Sequence, residues 1–333
     1  MKNTQVNLIA RPVGTPTAEC WEFVETETPE LGENQILIQN QYLSIDPAMR
    51  GWMNEGKSYI RPVKIGEVMR ALGAGVVVES KNADFKAGDF VTAGTGVQEY
   101  SVLDGKEAVK VDPSFVPLPA YLGTLGMSGL TGYFGLLDTG QPKEGETVVV
   151  SGAAGAVGSV VGQIAKIKGC RVVGIAGGAD KCHYAVEKLG FDACVDYKAG
   201  DLRKQLKEAC PAGVDVYFDN VGGEILDTVL GLINLRARIV ICGAISQYNA
   251  TEKPVGPSNY LALLVNRARM EGIVVFDNVA NYGKAVKEMA GWIAQGKLNS
   301  KVYVAEGGVR AFPETLIKLF NGENTGKLVL KVS

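Results

Sequence analysis

The amino-acid sequence predicts an α/β protein in which a doubly wound parallel sheet is joined to a second, β-rich domain. Between residues 125 and 300, short apolar runs alternate with helical patterns, which is typical of repeated strand–helix–strand units. Residues 1–124 instead show short strand patterns separated by Gly, Pro, Asn and Asp, and such patterns resume in residues 301–333. We therefore expect a doubly wound domain at 125–300 and a β-rich domain at 1–124 that residues 301–333 complete.

The stretch 148–162 gives the clearest functional signal in the chain. Val148–Val150 predicts the end of a buried strand, and an apolar helical pattern follows from Val160. In the turn between them, Gly155 and Gly158 would let backbone amides approach a pyrophosphate at the start of a helix. A strand, a tight turn and a helix in this order favour a dinucleotide-binding site.

Two further residues bear on this signature. Gly162 supports it, because a glycine there would let the helix pack close to the strand. Ala153 stands where the G-x-G-x-x-G fingerprint has its first glycine, so the match is incomplete. A glycine-rich turn can also be an ordinary turn, but the strand and helix on either side favour the nucleotide interpretation.

Hydrophobic periodicity predicts the elements in order. The strands expected in the doubly wound domain are Thr147–Val150, Arg171–Ile175, Ala193–Val195, Val214–Phe218, Arg238–Cys242 and Gly272–Val275. The helices expected between and after them are Val157–Lys168, Asp180–Leu189, Leu202–Ala209, Ile225–Leu232, Leu261–Arg267 and Tyr282–Gln295. In the β-rich part we expect strands Gln35–Tyr42, Gly75–Glu79, Phe90–Ala93, Lys301–Ala305 and Lys327–Val332, a helix near Ala311–Phe320, and a helix start with Asp46 as cap and Pro47 first.

Composition and charge exclude several classes of protein. The chain of 333 residues is 46% hydrophobic and 21% charged, with a net charge of −2, so neither nucleic acid nor an anionic membrane is expected as a partner. Its six cysteines show no metal-ligand spacing, and His183 is its only histidine, so no zinc site is expected. We interpret the cysteines as small buried residues in a reducing compartment, the cytoplasm.

The end of the second predicted strand indicates which dinucleotide is bound. An NAD site usually has an acidic residue there to bind the ribose hydroxyls, but Ala176, Gly177 and Gly178 occupy this place. Lys181 follows directly and would attract a 2′-phosphate, and Tyr197 could add a hydroxyl donor. Lys181 could also be a solvated lysine and Tyr197 a loop aromatic. We predict NADP rather than NAD.

Two loops at strand ends supply further candidates. The segments 219–223 and 242–249 close the fourth and fifth strands, and loops at that edge of an open α/β sheet line the ligand crevice. We expect Asn220, the backbone of 242–245 and Tyr248 to contact the ribose and nicotinamide. Their glycines could also be plain turn residues.

Motifs along nearly the whole chain carry a family resemblance. They are segments 43–50, 66–70, 122–136, 153–166, 218–223, 242–249 and 324–327. On these residues the sequence resembles the zinc-independent medium-chain dehydrogenase/reductases, and within them the NADPH-dependent alkenal/enone reductases, which include prostaglandin and curcumin reductases. The resemblance implies a Rossmann domain, a GroES-like catalytic domain, a homodimer, and hydride transfer from NADPH to the β-carbon of an α,β-unsaturated carbonyl.

The resemblance also implies which residues bind the cofactor. They are Met127, Thr131, Gly155, Ala156, Val157, Gly158, Gly177, Lys181, Tyr197, Asn220, Cys242, Gly243, Ala244, Ile245, Tyr248, Ile273, Val274, Val275 and Asn324. Met127 and Thr131 are expected beside the nicotinamide. The sequence departs from the family at Ser128, where proline is common, and at Gly132, where alanine is usual.

Reduction of a conjugated double bond needs a hydride donor, a hydrogen-bond donor for the enolate oxygen and a proton for the α-carbon. We expect the nicotinamide-ribose 2′-hydroxyl, oriented by Tyr248, to bind the substrate oxygen, and solvent, Tyr260 or Tyr59 to deliver the proton. Tyr260 and Tyr59 could equally be aromatic residues of the pocket wall. The alternatives are a quinone reductase of the same superfamily and a non-catalytic NADPH-binding protein; too few metal ligands disfavour a zinc alcohol dehydrogenase.

Overall fold

The computed structural model describes all residues, Met1–Ser333. The strands are β1 (Lys2–Leu8), β2 (Trp21–Glu27), β3 (Gln35–Ser44), β4 (Gly73–Ser80), β5 (Phe90–Ala93), β6 (Tyr100–Asp104), β7 (Val109–Lys110), β8 (Thr147–Ser151), β9 (Arg171–Ala176), β10 (Ala193–Asp196), β11 (Val214–Asp219), β12 (Ile233–Ile241), β13 (Arg269–Gly272), β14 (Val302–Ala305) and β15 (Lys327–Lys331). The α-helices are α1 (Ala48–Trp52), α2 (Met127–Phe134), α3 (Gly158–Ile167), α4 (Ala179–Leu189), α5 (Leu202–Ala209), α6 (Gly223–Leu230), α7 (Leu261–Asn266), α8 (Tyr282–Ala294) and α9 (Phe312–Phe320).

The chain forms two compact units, one of residues 1–123 with 302–333 and the other of residues 124–301. The second unit holds a six-stranded parallel sheet in the order β10-β9-β8-β11-β12-β13. Counted from β8, the strand order is that of the doubly wound Rossmann fold, which confirms the fold prediction. The order reverses between β8 and β11, and a crevice at such a switch point receives the ligand.

Burial explains why this part of the sequence forms a central strand and a covering helix. Every residue of β8 is buried, and Val148–Val150 are completely inaccessible to solvent. The helix α3 buries its apolar side, including Val160 and Ile164. Strands buried on both faces need continuous apolar β-branched runs, and the sequence supplies one here.

The first unit is β-rich and is built from both ends of the chain. Its main sheet has the order β14-β15-β3-β4-β5-β7, with β6 also paired to β3, and β1 and β2 form a separate antiparallel pair. β15 pairs with β3 so that Val329 lies opposite Ser44. Trp21 and Phe312 meet edge to face in its core, with their ring centroids 5.2 Å apart.

The predicted helix cap at Asp46 is wrong. The helix α1 begins at Ala48, Pro47 occupies the cap position, and no side chain caps it. The Asp46 carboxylate instead lies 2.7 Å from Nζ of Lys327, which is only 3% exposed. A buried ammonium requires a counter-charge, so Asp46 serves the ion pair and not the helix.

Several predicted elements were misplaced or missed. β13 lies at Arg269–Gly272, three residues before the predicted Gly272–Val275, because this edge strand is mostly polar and exposed and the apolar run comes after it. β12 begins at Ile233, not at Arg238, and α6 spans Gly223–Leu230. β1, β2, β6, β7 and α2 were not predicted. None of the helices combines the length and apolar character that crossing a membrane requires.

The cysteines are also less uniformly buried than predicted. All six are thiols, and Cys20, Cys170 and Cys210 are buried. The other three, Cys182, Cys194 and Cys242, are only partly buried.

Candidate cofactor and active site

The turn between β8 and α3 forms a compact loop at the carboxyl end of the sheet. The amide of Gly155 donates to the carbonyl oxygen of Gly152 at 2.9 Å, and Ser159 donates to Gly155 at 3.1 Å. A Cβ atom on Gly158 would lie 2.3 Å from that same Gly152 oxygen. Only glycine therefore fits at the start of α3, where helix amides are directed to the space beyond the turn.

The other residues of this turn occupy different surroundings. Ala153, which replaces the first fingerprint glycine, is fully buried, and its amide donates to Ile175 at 3.1 Å. Gly155, Ala156 and Val157 are partly exposed and precede the first turn of α3. The backbone of these three residues is thus open to a ligand, while Ala153 anchors the loop to β9.

Two lysines and a tyrosine surround the end of β9. A Cβ atom on Gly177 would lie 2.8 Å from the Tyr197 hydroxyl oxygen and 3.0 Å from Cε of Lys198. Burial lowers the pKa of the Lys181 ammonium, and the positive charge of Lys198 lowers it further. Two mutually repelling cations beside a phenol make a site that an added dianion would stabilise.

Asp196 is an acidic side chain next to this cluster, and one of its oxygens is occupied by backbone amides. Its Oδ1 accepts from the amide of Gly178 at 2.8 Å and from the amide of Lys198 at 2.9 Å. These bonds lower the pKa of Asp196 and keep it ionised. The carboxylate therefore shapes the two loops around Gly177.

A buried carboxylate organises the end of β11. Asp219 is 1% exposed, and its Oδ1 accepts from the hydroxyls of Ser151 and Tyr217 and from the amides of Val221 and Gly222, at 2.8–3.0 Å. This set of bonds fixes the turn that leads from β11 into α6. It also ties β11 to the end of β8.

The predicted residues Asn220 and Cys242 follow at the same edge. The Asn220 amide group donates to the Ser151 carbonyl at 2.7 Å, and the Cys242 backbone amide donates to the Asp219 carbonyl at 2.9 Å. Burial, with the nearby charge of Asp219, raises the pKa of the Cys242 thiol to about 12. The thiol therefore stays protonated at neutral pH, whereas a nucleophilic cysteine needs the thiolate.

Tyr248 folds back on the loop that carries it. Its hydroxyl oxygen accepts from the amide of Ala244 at 3.2 Å, and a Cβ atom on Gly243 would lie 2.8 Å from that oxygen. Ile245 donates to the Asn220 carbonyl at 3.2 Å, which joins this loop to the end of β11. The structure thus brings Asn220, Tyr248 and the 243–245 backbone together.

Two further sets of predicted cofactor residues lie on α2, where Met127 and Thr131 are expected beside the nicotinamide, and after β13. Thr131 is committed to its own helix, since its hydroxyl donates to the Met127 carbonyl at 2.8 Å. Ile273–Val275 follow the end of β13, with the Ile273 amide bound to Ile241 at 3.1 Å. The hydroxyl of Tyr282 lies 3.0 Å from the Val275 carbonyl and 3.8 Å from the Met127 sulfur. Tyr282 therefore joins two sets of predicted cofactor residues.

The three remaining predicted site residues are Tyr260, Tyr59 and Asn324. Tyr260 directly precedes α7 and is 59% exposed, and Tyr59 lies in the first unit and is 57% exposed. Asn324 also lies in the first unit, and its side chain donates to the Gly326 carbonyl at 2.8 Å.

Sequence reasoning missed two residues of this arrangement, Lys198 and Tyr282. Lys198 follows Tyr197 directly, and a second cation next to a predicted phosphate ligand could have been recognised. Tyr282 gave no such signal, because its contacts to Met127 and Val275 depend on how α8 packs in the second unit.

These features fit an NADP molecule. The partly exposed Gly155, Ala156 and Val157 precede the first turn of α3, where a diphosphate could bind, and the pair Lys181 and Lys198 with Tyr197 matches a 2′-phosphate in charge and donors. No three or more His, Cys, Asp or Glu side chains are grouped so that they could hold a metal ion.

Comparison with known proteins identifies the family. Residues 4–111 match the family described as N-terminal domain of oxidoreductase, and residues 156–293 match that described as zinc-binding dehydrogenase. An NADPH-dependent curcumin reductase of Escherichia coli is 44% identical over 100% of this chain and 97% of its own. Prostaglandin reductase 1 of Mus musculus is 44% identical over 96% and 95%.

A solved structure extends this likeness to three dimensions. CurA from Vibrio vulnificus, in complex with NADPH, is 45% identical, covers 99% of both chains and superposes with a TM-score of 0.94. The family predicted from the sequence motifs is thereby confirmed. This chain belongs to the zinc-independent medium-chain dehydrogenase/reductase family.

Proposed function

We propose that this enzyme is an NADPH-dependent reductase of the C=C bond of α,β-unsaturated aldehydes and ketones, including curcumin-like substrates. The observation that carries the proposal is the joint presence of a cationic site at Gly177 and a Tyr248 hydroxyl fixed at the same edge of the sheet. The names of the relatives, curcumin reductase and prostaglandin reductase, support the same class of activity.

When bound, NADPH supplies the hydride that reaches the β-carbon of the substrate. Lys181, Lys198 and Tyr197 would hold its 2′-phosphate, and the amides from Gly155 to Gly158 would hold its diphosphate. Asn220, the backbone of 242–245, Ile273–Val275 and Asn324 would bind the remainder, with Met127 and Thr131 beside the nicotinamide.

Tyr248 has the role of orienting polar groups at the reacting centre. The Ala244 amide fixes the position of its hydroxyl oxygen, so the phenol is preorganised and not mobile. The developing enolate charge is stabilised most by donors that are already in place. The exposed Tyr260 and Tyr59, or water, would deliver the proton to the α-carbon.

Steady-state kinetics tests the proposal. NADPH oxidation is followed with 2-nonenal, a phenylbutenone and a curcumin-like diketone, and with 1,4-benzoquinone as the competing substrate. Faster turnover of the enones supports the proposal, and a clear preference for benzoquinone identifies a quinone reductase. Tight NADPH binding without oxidation by any of these compounds identifies a non-catalytic NADPH-binding protein.

We further infer that the protein forms a homodimer joined through the nucleotide-binding units. The family resemblance implies this assembly. β13 is an edge strand paired only with β12, and the neighbouring helix α7 exposes Leu261, Leu264 and Val265. Light scattering would give the mass of a dimer, and Leu264→Lys would shift it to that of a monomer.

The six unpaired thiols suit the cytoplasm, which fractionation of the source cells would test.

A further inference from the structure

A single hydroxyl connects the start of α2 with the chain that follows β13. The Tyr282 hydroxyl donates to the carbonyl oxygen of Val275 at 3.0 Å, and it also lies 3.8 Å from the sulfur of Met127. Met127 is the first residue of α2, and Tyr282 is the first residue of α8. All three residues belong to the second unit. The hydroxyl therefore links elements of that unit that are distant in the sequence.

Met127 is a flexible side chain at a weakly held helix start. A methionine has three rotatable bonds, so its sulfur takes up several positions unless neighbours restrain it. No side chain caps α2, whose cap residue is Gly126, and two of its eight residues are Gly129 and Gly132. Glycine inside a helix weakens it. The place of the Met127 sulfur thus depends on contacts from outside α2.

Tyr282 is itself held firmly enough to supply that restraint. Its ring packs beside Phe134, with the ring centroids 6.1 Å apart and the planes tilted by 30°. Its bond to Val275, which is 7% exposed, closes the turn Val275–Asn281 that leads directly into α8. Burial, with the charge of Asp277, raises the pKa of Tyr282. The hydroxyl therefore keeps its proton and remains a donor at neutral pH.

A second hydroxyl joins α2 and α8 at the end remote from Met127. Tyr133, near the end of α2, donates to Oε2 of Glu288 at 2.6 Å. Its ring also lies near that of Trp292 on α8, with the centroids 6.2 Å apart. This link holds α8 on α2 without the help of Tyr282. The Tyr282 hydroxyl is therefore not needed to dock the two helices, and its contact acts locally, on the side chain of Met127.

We propose that Tyr282 is a positioning residue for hydride transfer, whose hydroxyl sets the Met127 side chain against the nicotinamide and so fixes the orientation of that ring. This inference rests on the proposed function, which puts Met127 and Thr131 beside the nicotinamide. The Thr131 hydroxyl donates to the Met127 carbonyl at 2.8 Å, so one hydroxyl holds the backbone of Met127 and another holds its side chain. A small misplacement of a reacting group lowers the rate even where binding is unchanged.

Single-turnover kinetics of Tyr282→Phe tests the proposal, because this change removes only the hydroxyl. The enzyme–NADPH complex, freed of unbound NADPH, is mixed with saturating 2-nonenal, and NADPH oxidation is followed by stopped flow. We expect the rate constant to fall roughly twofold to tenfold, as the loss of one hydrogen bond allows. The amplitude per mole of protein should be unchanged, whereas a folding defect would lower the amplitude and leave the rate constant. Deuterium at both C4 positions of NADPH should slow the same phase, which shows that it is hydride transfer.

Two further variants separate positioning from helix packing. Tyr133→Phe removes the other hydroxyl between the same helices and should keep the wild-type rate constant. Met127→Leu keeps the volume of the side chain and removes its sulfur, so it should slow the same phase. Because Tyr282 acts through Met127, combining the two changes should slow the reaction by less than the product of the single effects. A wild-type rate constant in Tyr282→Phe, an equal loss in Tyr133→Phe, or effects that multiply would overturn the proposal.

The fluorescence of bound NADPH distinguishes this inference from the proposed function, because it needs no substrate. The decay of its anisotropy reports how freely the nicotinamide turns in the site. We expect a faster decay in Tyr282→Phe than in the wild type and in Tyr133→Phe. That result supports the positioning role even if no enone is reduced. Equal decay in all three proteins refutes the role even if enones are reduced.

Discussion

The hydroxyl oxygen of Tyr248 lies 3.2 Å from the amide nitrogen of Ala244, four residues before it, and accepts its hydrogen bond. The two residues belong to one loop, which is itself bound to the end of β11 through Ile245 and Asn220. Tyr248 and the backbone it faces are thus a single preorganised element at the crevice of the sheet.

Replacing Tyr248 by Phe should lower kcat with an enone substrate by about tenfold, because the hydrogen bond that orients the ribose 2′-hydroxyl towards the developing oxyanion is lost. The NADPH dissociation constant should change less than kcat. Stopped-flow measurement of NADPH oxidation separates the two effects. Tyr303→Phe, an exposed tyrosine on β14, is the matched control, and unchanged turnover in Tyr248→Phe would refute the role of this hydroxyl.

Removing either cation near Gly177 should weaken NADPH binding selectively. Lys181→Gln and Lys198→Gln should each raise the NADPH dissociation constant roughly 10-fold to 100-fold. This change corresponds to the free energy of one hydrogen bond to a charged group. NADH lacks the 2′-phosphate, so its dissociation constant should hardly change. Fluorescence titration measures both, with Lys188→Gln on the same helix as control. An equal loss for NADPH and NADH would contradict the assignment.

NADPH binding should take up protons at alkaline pH. The pKa of Lys181 is lowered in the protein, and a bound 2′-phosphate would raise it again. Between these two pKa values binding takes up protons, so the affinity for NADPH falls as the pH rises through that window. Calorimetry in buffers of different ionisation enthalpy detects the uptake, and Lys181→Met should abolish it. Equal proton uptake with NADH would count against this explanation.

Gly162 should tolerate no side chain, although it lies inside a regular helix. A Cβ atom there would lie 1.9 Å from the Phe191 ring, so Gly162→Ala should destabilise the protein by about 1–3 kcal/mol. Gly291→Ala in α8 is the control, because nothing lies within 4 Å of a Cβ atom there and alanine favours helix by about 1 kcal/mol. Urea unfolding compares them, and Phe191→Leu should restore part of the loss.

The sequence predicted best those features that are encoded by residues close together in the chain. The strand, turn and helix around Gly158 follow from adjacent residues, and the cluster of Lys181 and Tyr197 follows from the spacing of two loops after parallel strands. Apolar runs were sufficient for buried strands such as β8. They failed for β13, since an exposed edge strand does not need an apolar run.

Interactions between residues distant in sequence were beyond prediction from one chain. Asp46 resembled a helix cap locally, but its partner Lys327 lies 281 positions away. This pairing depends on a choice between competing partners, which only the folded structure decides.

The most direct test of the central claim is to locate the transferred hydride. The enzyme is incubated with 2-nonenal and NADPH that carries deuterium at both hydrogen positions of the nicotinamide C4, and the product is analysed by NMR. We predict nonanal with deuterium at the β-carbon and none at the carbonyl carbon. Deuterium at the carbonyl carbon of an allylic alcohol, or consumption of NADPH with no labelled product, would contradict the account.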